Sequence, residues 1–305
     1  MLRFKRGIAL LITLLFIVAI TVSIGLGLKY INNASKEVEK ENFLYQSKII
    51  VEDILSILKN SQKLASIAKE NSTDELYAFL SQTQTIPLNT DDLDINIQIT
   101  SARSKFNVNN LMDTNKTINV KSTEILREYF AKYMINNSYV DILLDNMGGI
   151  LKDNSYNSDI FNQKPYLFRD YIASRKHLLE INDFYMKSYH ENSLKNIDFD
   201  KLFYFSDKRD IAIDLNYASL EVWEMLLGID KERAKQLILS AGAYTKIENL
   251  ALTKEEKDSL SNFKVSYFEP YIYVVVEIIQ NDEKAKVSFE YNIINKEGSN
   301  FTYEI

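Results

Sequence analysis

The segment KRGIALLITLLFIVAIT, residues 5–21, changes from basic to fully apolar at Gly7, with no polar residue between the two parts. The uncharged run continues over residues 8–28, about 21 residues, which is long enough for one helix to cross a hydrocarbon core of ~30 Å. Because the cations precede this run, we expect the start of the chain to stay cytoplasmic and the rest to be exported.

Three interpretations of this segment remain open on composition alone. The first is a permanent single-span anchor. The second is a secretory signal peptide cut after a small-x-small site, at Ser23–Gly25 or Gly25–Gly27, although the apolar run exceeds the usual ~7–15 residues. The third is a class III leader that is cut after Gly7 on the cytoplasmic side, so that the apolar helix stays on the mature protein.

The start of the chain resembles the prepilin-type start of type IV pilins and type II secretion pseudopilins. Most members of those families carry a glutamate five residues into the mature chain, where this chain has Ile12. A carboxylate in the bilayer is costly and is normally kept for function. The resemblance implies that this glutamate pairs with the terminal amine of a neighbouring subunit. The K-type minor pseudopilin, the subunit thought to cap the filament tip, typically lacks it.

Composition excludes several classes of function. The chain has 305 residues and a net charge of −6, from 36 basic and 42 acidic residues, which argues against bulk nucleic-acid binding. It has no cysteine and therefore no disulfide, and only two histidines, His177 and His190, which argues against a zinc site. No nucleophile, phosphate-loop or metalloprotease motif occurs, so we predict a protein that is not an enzyme.

Residues 29–69 contain neither proline nor glycine, and their apolar residues recur at spacings of three, four and seven. We therefore predict one continuous helix from residue 8 to about residue 69, roughly 90 Å long. Its apolar stripe should pack on the domain that follows. The stripe consists of two adjacent rows: Phe43, Ile50, Ile54, Ile57, Leu64 and Leu44, Val51, Leu55, Leu58, Ala65.

The rest of the chain predicts mixed structure. Alternating residues predict strands at 94–100, 263–269, 271–279 and 285–294. Apolar periodicity predicts helices at 122–136 (capped by Ser122), at 139–147, within 166–189 and around 247–260, with a short helix starting at Thr73 or Asp74. Residues 81–93, with Pro87, and 153–165 are predicted loops.

The sequence SARSKFNVNNL, residues 101–111, carries a second motif. Phe106, Val108 and Leu111 should enter a core, while Asn107, Asn109 and Asn110 can bond their own backbone and turn the chain. The segment resembles the A-R-x-x-F-N-x-N-x-L tract of K-type pseudopilins. The matching residues are Ala102, Arg103, Phe106, Asn107, Asn109 and Leu111, and we interpret them as structural.

A third motif spans residues 213–238, in which Ser219 should cap a helix that Gly228 ends. It resembles the degenerate helix-hairpin-helix of K-type pseudopilins, on the residues Asn216, Ala218, Ser219 and Gly228. Nucleic-acid-binding hairpins expose bare N–H groups at Gly-x-Gly. Here Asp230 replaces the second glycine and would repel a phosphate, so we expect no nucleic-acid partner.

Calcium is the one cofactor that the sequence leaves open. Asp141, Asp145, Asp153 and Asp159 lie close together in the chain and offer the hard oxygen ligands that Ca²⁺ takes. They lack D-x-D-x-D-G spacing, and we interpret them as solvated loop carboxylates. Resemblance to K-type pseudopilins implies calcium sites, but it names no ligand in this chain.

Taken together, the three resemblances imply a K-type minor pseudopilin of type II secretion with an α+β fold: a pilin-like long helix packed on an antiparallel sheet, with an inserted all-helical domain. The expected divisions are a leader at 1–7, a transmembrane part at 8–28, the rest of the helix with the first strands at 29–111, a helical insert at 112–205, and the hairpin with the last strands at 206–305.

The resemblance also implies how the protein is processed and located. A prepilin peptidase would cut between Gly7 and Ile8, and the new amine of Ile8 would be N-methylated. The chain would lie in the inner membrane with its head in the periplasm. Its partners would be other minor pseudopilins, the peptidase, inner-membrane lipid and the secretion platform. Two alternatives stay open: a minor subunit of a DNA-uptake pseudopilus, and a membrane-anchored DNA-binding hairpin protein.

Overall fold

A computed structural model describes residues 37–304 of this chain, except 39, 90–92 and 281–282. The leader, the cleavage and methylation positions and the predicted span at 8–28 lie outside the described residues. Within the described part of the chain, no helix is both long and apolar enough to cross a membrane.

The α+β class expected from the sequence is observed. The strands of the large sheet are β1 Ile86–Asn89, β2 Asp94–Ser101, β7 Tyr271–Gln280, β8 Glu283–Asn292 and β9 Glu297–Glu304. This five-stranded antiparallel sheet has the order β1-β2-β7-β8-β9, and four short strands form two parallel pairs elsewhere.

Helix α1, residues 40–60, packs on one face of this sheet. Its buried side consists of Phe43, Ser47, Val51, Ile54 and Leu58, at the spacing of a single helix face. The facing side chains come mainly from β7, whose alternate residues are fully buried: Ile272, Val274, Val276 and Ile278. The alternate residues of β7 and the residues on one face of α1 thus pack together in one common core.

Two details of the predicted helix are wrong. Ile57 was expected in the buried stripe but is 68% exposed, because it lies well to one side of the buried face. The helix also does not continue to residue 69. It ends at residue 60, and Ser61 takes an extended conformation (φ −65°, ψ 113°) and caps a separate helix, α2 (Gln62–Glu70), by accepting a hydrogen bond from the Leu64 N–H. Helix α3, Thr73–Gln82, follows, capped by Ser72.

The sheet edges also differ from the sequence prediction. Pro87, expected in a loop, lies in β1, an edge strand where a missing N–H is tolerated. Strand β9 was not predicted, because its sequence, EGSNFTYE, has little β-branched character and is almost wholly exposed. It forms by pairing antiparallel with β8 on the side away from β7, with a register shift between Ser288 and Glu290.

Residues 102–270 lie between β2 and β7, which are neighbours in the sheet, and contain the remaining helices and the four short strands. We call these residues the helical part. Its helices are α4 Val120–Ala131, α5 Ser138–Asp145, α6 Ile160–Gln163, α7 Arg175–Tyr189, α8 Phe199–Leu202, α9 Leu220–Leu227, α10 Lys231–Leu239 and α11 Lys254–Leu260. Its strands are β3 Phe106–Asn107, β4 Phe203–Tyr204, β5 Ile213–Asp214 and β6 Val265–Ser266.

Within the helical part, several elements begin or end at other residues than predicted. Helix α4 is capped by Asn119 and not by Ser122, whose hydroxyl instead donates to the Asn262 carbonyl. Helix α7 lies within the segment 166–189, as predicted, and begins at Arg175, while α6 interrupts the predicted loop at 153–165. Of the predicted strand at 263–269, only the two residues of β6 pair, because their partner β5 is equally short.

The described residues form two separate hydrophobic clusters. One joins α1, α2 and α3 to the large sheet. The other runs from Phe106 to Phe263 and fills the helical part, with Trp223 fully buried. The chain passes between the clusters twice, just after β2 and just before β7.

Candidate functional site

The two passages meet at a buried polar cluster that is built on Arg103. The Arg103 guanidinium donates to Glu290 Oε2 on β8 at 2.9 Å, and both side chains are nearly inaccessible to solvent. It lies over the ring of Tyr271 at 4.1 Å and within 5.2 Å of the Tyr204 ring centre. The Tyr204 hydroxyl donates to the other oxygen, Glu290 Oε1. The guanidinium is thus held by a carboxylate on its edge and aromatic rings on its faces.

The asparagines of the 101–111 motif connect distant segments. The Asn107 Nδ2 donates to the Lys208 carbonyl at 2.6 Å, and its Oδ1 accepts from the Ser206 N–H at 3.2 Å. The Asn109 side chain donates to the Ser206 carbonyl at 2.8 Å and accepts from the Ile172 N–H at 2.8 Å. One predicted local bond is present, from the Asn109 N–H to Asn107 Oδ1 at 3.4 Å.

The predicted local bonding is therefore present, but most of the bonds of these side chains go to distant segments. The Asn110 side chain also bonds a distant segment, because its Nδ2 donates to the Ile211 carbonyl at 2.7 Å. The three apolar residues of the motif, Phe106, Val108 and Leu111, are buried as predicted. Ala102 is buried beside Arg103, and its N–H donates to the Tyr271 carbonyl at 3.0 Å. The segment thus lies in the core of the helical part and holds other loops in place.

Asn216 has a comparable role in the third motif, because all four hydrogen-bonding positions of its amide are filled. Its Nδ2 donates to the carbonyls of Tyr244 (2.8 Å) and Tyr267 (2.9 Å), and its Oδ1 accepts from the N–H groups of Gly242 (2.9 Å) and Tyr244 (3.0 Å). Ala218 is buried two residues further on. The motif thereby ties three loops together at one buried point.

The predicted helical hairpin is observed. The Ser219 Oγ caps α9 by accepting from the Val222 N–H at 3.1 Å, and Gly228 ends that helix at φ 68°. The Asp230 carboxylate caps α10 by accepting from the Arg233 N–H at 2.9 Å. The N-terminus of α10 is therefore occupied by a carboxylate of the chain itself, in the place where a phosphate would bind in a nucleic-acid hairpin.

Cations near the hairpin are also engaged. Arg233 contacts both oxygens of Glu256, at 3.1 and 3.2 Å, and Lys235 pairs with Glu232 at 2.7 Å. The Lys132 ammonium donates to the Gly228 carbonyl at 2.7 Å. Arg233 and Lys235 are thus each paired with a carboxylate of the chain itself.

The four aspartates considered for calcium are held by protein groups. Asp145 accepts bonds from the backbone and side chains of Asn157 and Ser158, at 2.6–2.9 Å. Asp141 pairs with Arg127 at 2.5 Å. Asp153 and Asp159 bond Ser155 and Gln163, at 2.8 and 2.9 Å. In the described residues no group of three or more His, Cys, Asp or Glu side chains is placed to hold a metal ion. These carboxylates do not fit a calcium site, and Asp145, buried at the end of α5, is not the solvated loop carboxylate that was expected.

The two histidines lie at opposite ends of α7. His177 is buried; its Nε2 lies 3.1 Å from Asn146 Oδ1, and its Nδ1 accepts from the Ala173 N–H at 3.3 Å. Burial lowers the pKa of the His177 imidazole. His190 ends the helix at φ 52°. Each has a local structural role in this arrangement.

Asp214 is a fully buried acid that the sequence did not reveal. It is fully buried beside the Arg103 cluster, and its carboxylate accepts from the N–H groups of Asn216 (3.0 Å) and Glu269 (2.9 Å). Burial raises the pKa of the Asp214 carboxyl to about 7, although these two bonds favour the charged form. Burial likewise raises the pKa of Glu269. A single aspartate at the end of a two-residue strand gives no signal in the sequence that it will be enclosed.

Comparisons with known proteins find similarity among solved structures. No family model matches this sequence, and no curated protein matches it. The chain is similar in structure to a chain of the GspK-GspI-GspJ complex from the enterotoxigenic Escherichia coli type 2 secretion system, with a TM-score of 0.48 and 12% sequence identity. The similarity covers 86% of this chain and 99% of that one.

Proposed function

We propose that this chain is a K-type minor pseudopilin that primes a type II secretion pseudopilus and stays at its tip. One observation carries the proposal. A helix packs along one face of an antiparallel sheet, and the whole helical part is inserted between two neighbouring strands of that sheet, β2 and β7. This is the arrangement that the prepilin-like start and the two internal motifs imply together.

The helical part is proposed as the inserted domain. Its hydrophobic cluster includes residues from both the 112–205 segment and the hairpin that follows, so we assign the hairpin to the same folded unit. Residues 8–28 would then hold the subunit in the inner membrane, with the head in the periplasm. Small residues in that segment, such as Ala9, Ala19, Gly25 and Gly27, would allow close helix-helix approach during assembly.

Ile12 supports the tip position. A subunit inside the filament needs a carboxylate to neutralise its neighbour's terminal amine, whereas a subunit with nothing above it does not. The proposed partners are therefore other minor pseudopilins on one side only, with prepilin peptidase, inner-membrane lipid and the secretion platform during assembly. The proposed role needs binding and no catalysis.

The direct test is N-terminal mass analysis of the protein isolated from cells with active prepilin peptidase. We expect the mature chain to begin at Ile8 with a methylated amine. Gly7→Val should leave Met1 in place, while the matched change Gly25→Val, within the apolar run, should not prevent cleavage. A chain that still begins at Met1, in cells where another prepilin is processed, would overturn the proposal.

Two further measurements separate the alternatives. Deleting the gene should abolish protein secretion and leave transformation unchanged; the reverse result would assign the chain to a DNA-uptake pseudopilus. For a DNA-binding role, the full chain in detergent should bind duplex DNA with an affinity that falls steeply with salt. The Asp230 cap and the paired cations at the hairpin lead us to expect no such binding.

A further inference from the structure

The turn at residues 113–117, in the helical part, has the sequence DTNKT. An asparagine followed by any residue but proline and then by serine or threonine is the acceptor pattern for N-linked oligosaccharides on surface loops of exported proteins. Bacterial oligosaccharyltransferases also select an acidic side chain two residues before the asparagine. Asp113, Asn115 and Thr117 supply all three groups, and every residue from 113 to 120 is exposed.

The turn is held by Asp113, which leaves the two acceptor side chains free. Asp113 Oδ1 accepts from the Asn115 N–H and from the Thr117 N–H, both at 2.8 Å. The Lys116 N–H donates to the Asp113 carbonyl at 3.0 Å. In the described part of the chain the side chains of Asn115 and Thr117 make no hydrogen bond. A transferase can therefore reach the amide and the hydroxyl without breaking a side-chain contact.

The polar contacts between this turn and other segments are weak. The Lys116 ammonium pairs with Asp170, and both side chains are exposed. The Arg209 guanidinium donates to the Asp113 carbonyl at 3.3 Å. Exposed ion pairs contribute little to stability. Because segments with few buried contacts open locally at a low free energy, the turn can extend into the cleft of an enzyme.

Four other triplets of the same pattern lack these features. They begin at Asn33, Asn71, Asn136 and Asn300. None of the four has an acidic residue two positions earlier, and the first lies outside the described residues. The hydroxyl of Thr73, in the second triplet, is buried and donates to the Tyr267 carbonyl at 3.1 Å. The Asn136 Oδ1 accepts from the Ser138 N–H at 2.9 Å, and Thr302 of the last triplet is paired within the sheet.

We propose that Asn115 is an acceptor site for an N-linked oligosaccharide that is transferred from a lipid-pyrophosphate donor. The Asn115 Nδ2 attacks the anomeric carbon of the first sugar. An N-glycosidic bond forms as the bond from that carbon to the pyrophosphate oxygen breaks; the lipid pyrophosphate leaves, and one amide proton is lost to solvent. The inference rests on the proposed export of the head, because this transfer takes place outside the cytoplasm.

A glycan at Asn115 covers exposed apolar surface beside the turn. Ile118 is 41% exposed, and Ile150, which follows Gly149, is 81% exposed. The Lys116 ammonium lies next to Gly149, so the two segments adjoin. Exposed apolar patches mark sites of association with other proteins, and a bulky hydrophilic group shields them. The glycan thereby keeps this face of the helical part free of neighbouring subunits.

The transfer is tested on the purified full chain in detergent, with a bacterial oligosaccharyltransferase and a lipid-linked oligosaccharide as the donor. Intact mass analysis should show the addition of one oligosaccharide, and peptide mass analysis should place it on Asn115. Asn115→Gln should abolish the addition. Asp113→Asn keeps an oxygen that can hold the turn but removes the charge, and should lose most of the transfer, whereas Asp113→Glu should retain it.

Lys69→Asp is the matched control, since it gives Asn71 an acidic residue at the same spacing while Thr73 stays buried. The folded variant should gain no second oligosaccharide, although its proteolytic peptide that contains Asn71 should be modified by the same enzyme. No addition at Asn115 in a reaction that modifies this peptide, or equal modification of Asn71 and Asn115 in the folded variant, would overturn the proposal.

A second measurement separates the acceptor site from the proposed export. The full chain is isolated from cells that contain the transferase, whose active site faces the periplasm, and its mass is measured. An oligosaccharide on Asn115 supports both the site and the exported head. An unmodified chain, in cells where another exported protein is glycosylated, would overturn the exported head, while the purified reaction alone decides whether Asn115 is an acceptor.

Discussion

The Arg103 guanidinium and the Glu290 carboxylate, 187 residues apart in the sequence, form a 2.9 Å ion pair that is almost fully buried. The pair connects the residue just after β2 to β8. Removing one partner of a buried pair leaves an uncompensated charge, which typically costs about 3–5 kcal/mol. Replacing both partners leaves no such charge.

We therefore predict that Arg103→Met destabilises the full chain by about 3–5 kcal/mol, and that adding Glu290→Gln recovers much of this loss. The free energy of unfolding is measured by urea titration in detergent, followed by circular dichroism. Arg127→Met, which breaks a more exposed pair with Asp141, is the control and should cost about 1 kcal/mol or less. Equal losses for the two arginines would contradict the prediction.

Ser47 supplies a stabilising change. Its hydroxyl is buried between α1 and the sheet without a partner in the described part of the chain. Ser47→Ala removes an unsatisfied group and raises helix propensity, so we expect a gain of about 1–2 kcal/mol in the free energy of unfolding. Ser56→Ala on the exposed side of the same helix gives the propensity gain, less a long exposed bond of 3.4 Å that Ser56 Oγ accepts from Asn60 Nδ2. A gain no larger for Ser47 than for Ser56 would mean that the buried hydroxyl carries no penalty.

Two glycines at positive φ should respond differently to alanine. At Gly228 (φ 68°) no atom lies within 4 Å of an added Cβ, so only backbone strain of about 1–2 kcal/mol is expected. At Gly242 (φ 89°) the Cβ would lie 2.7 Å from the Tyr77 ring, so the loss should be larger. The melting temperatures of Gly228→Ala and Gly242→Ala compare the two. Adding Tyr77→Ala should lessen the effect of the second change and leave the first unaffected.

Asp214 makes the stability of the chain depend on pH. Its folded-state pKa, raised to about 7 by burial, lies above the value in the unfolded chain, so the folded state binds more protons between these values. The contribution of Asp214 to the free energy of unfolding is fully present below about pH 4. It is lost as pH rises through about 7, by up to about 4 kcal/mol. Urea midpoints at pH 5 and pH 8 measure the loss, and Asp214→Asn should reduce it strongly. Because the lowered pKa of His177 acts in the opposite direction, the test is the difference between the two chains: a pH dependence that Asp214→Asn leaves unchanged would contradict the assignment.

Local signals in the sequence were sufficient for several elements. Alternation predicted β2 and β7, because a half-buried strand must place apolar residues on one face. Ser219 and Gly228 predicted the ends of α9, because capping depends on the residue itself and its immediate neighbours. By contrast, Ser61 resembles any polar helix residue, and only its extended conformation reveals the break between α1 and α2.

The sequence by itself thus determined the apolar segment at the start, the alternation of the main strands and the caps of the helical hairpin, all of which follow from residues a few positions apart. The tertiary structure alone decided that β9 pairs with β8, that Arg103 meets Glu290, and that Asp214 is enclosed beside them. These outcomes depend on which distant segments meet and how much water they exclude, and neither quantity is encoded in the spacing of neighbouring residues.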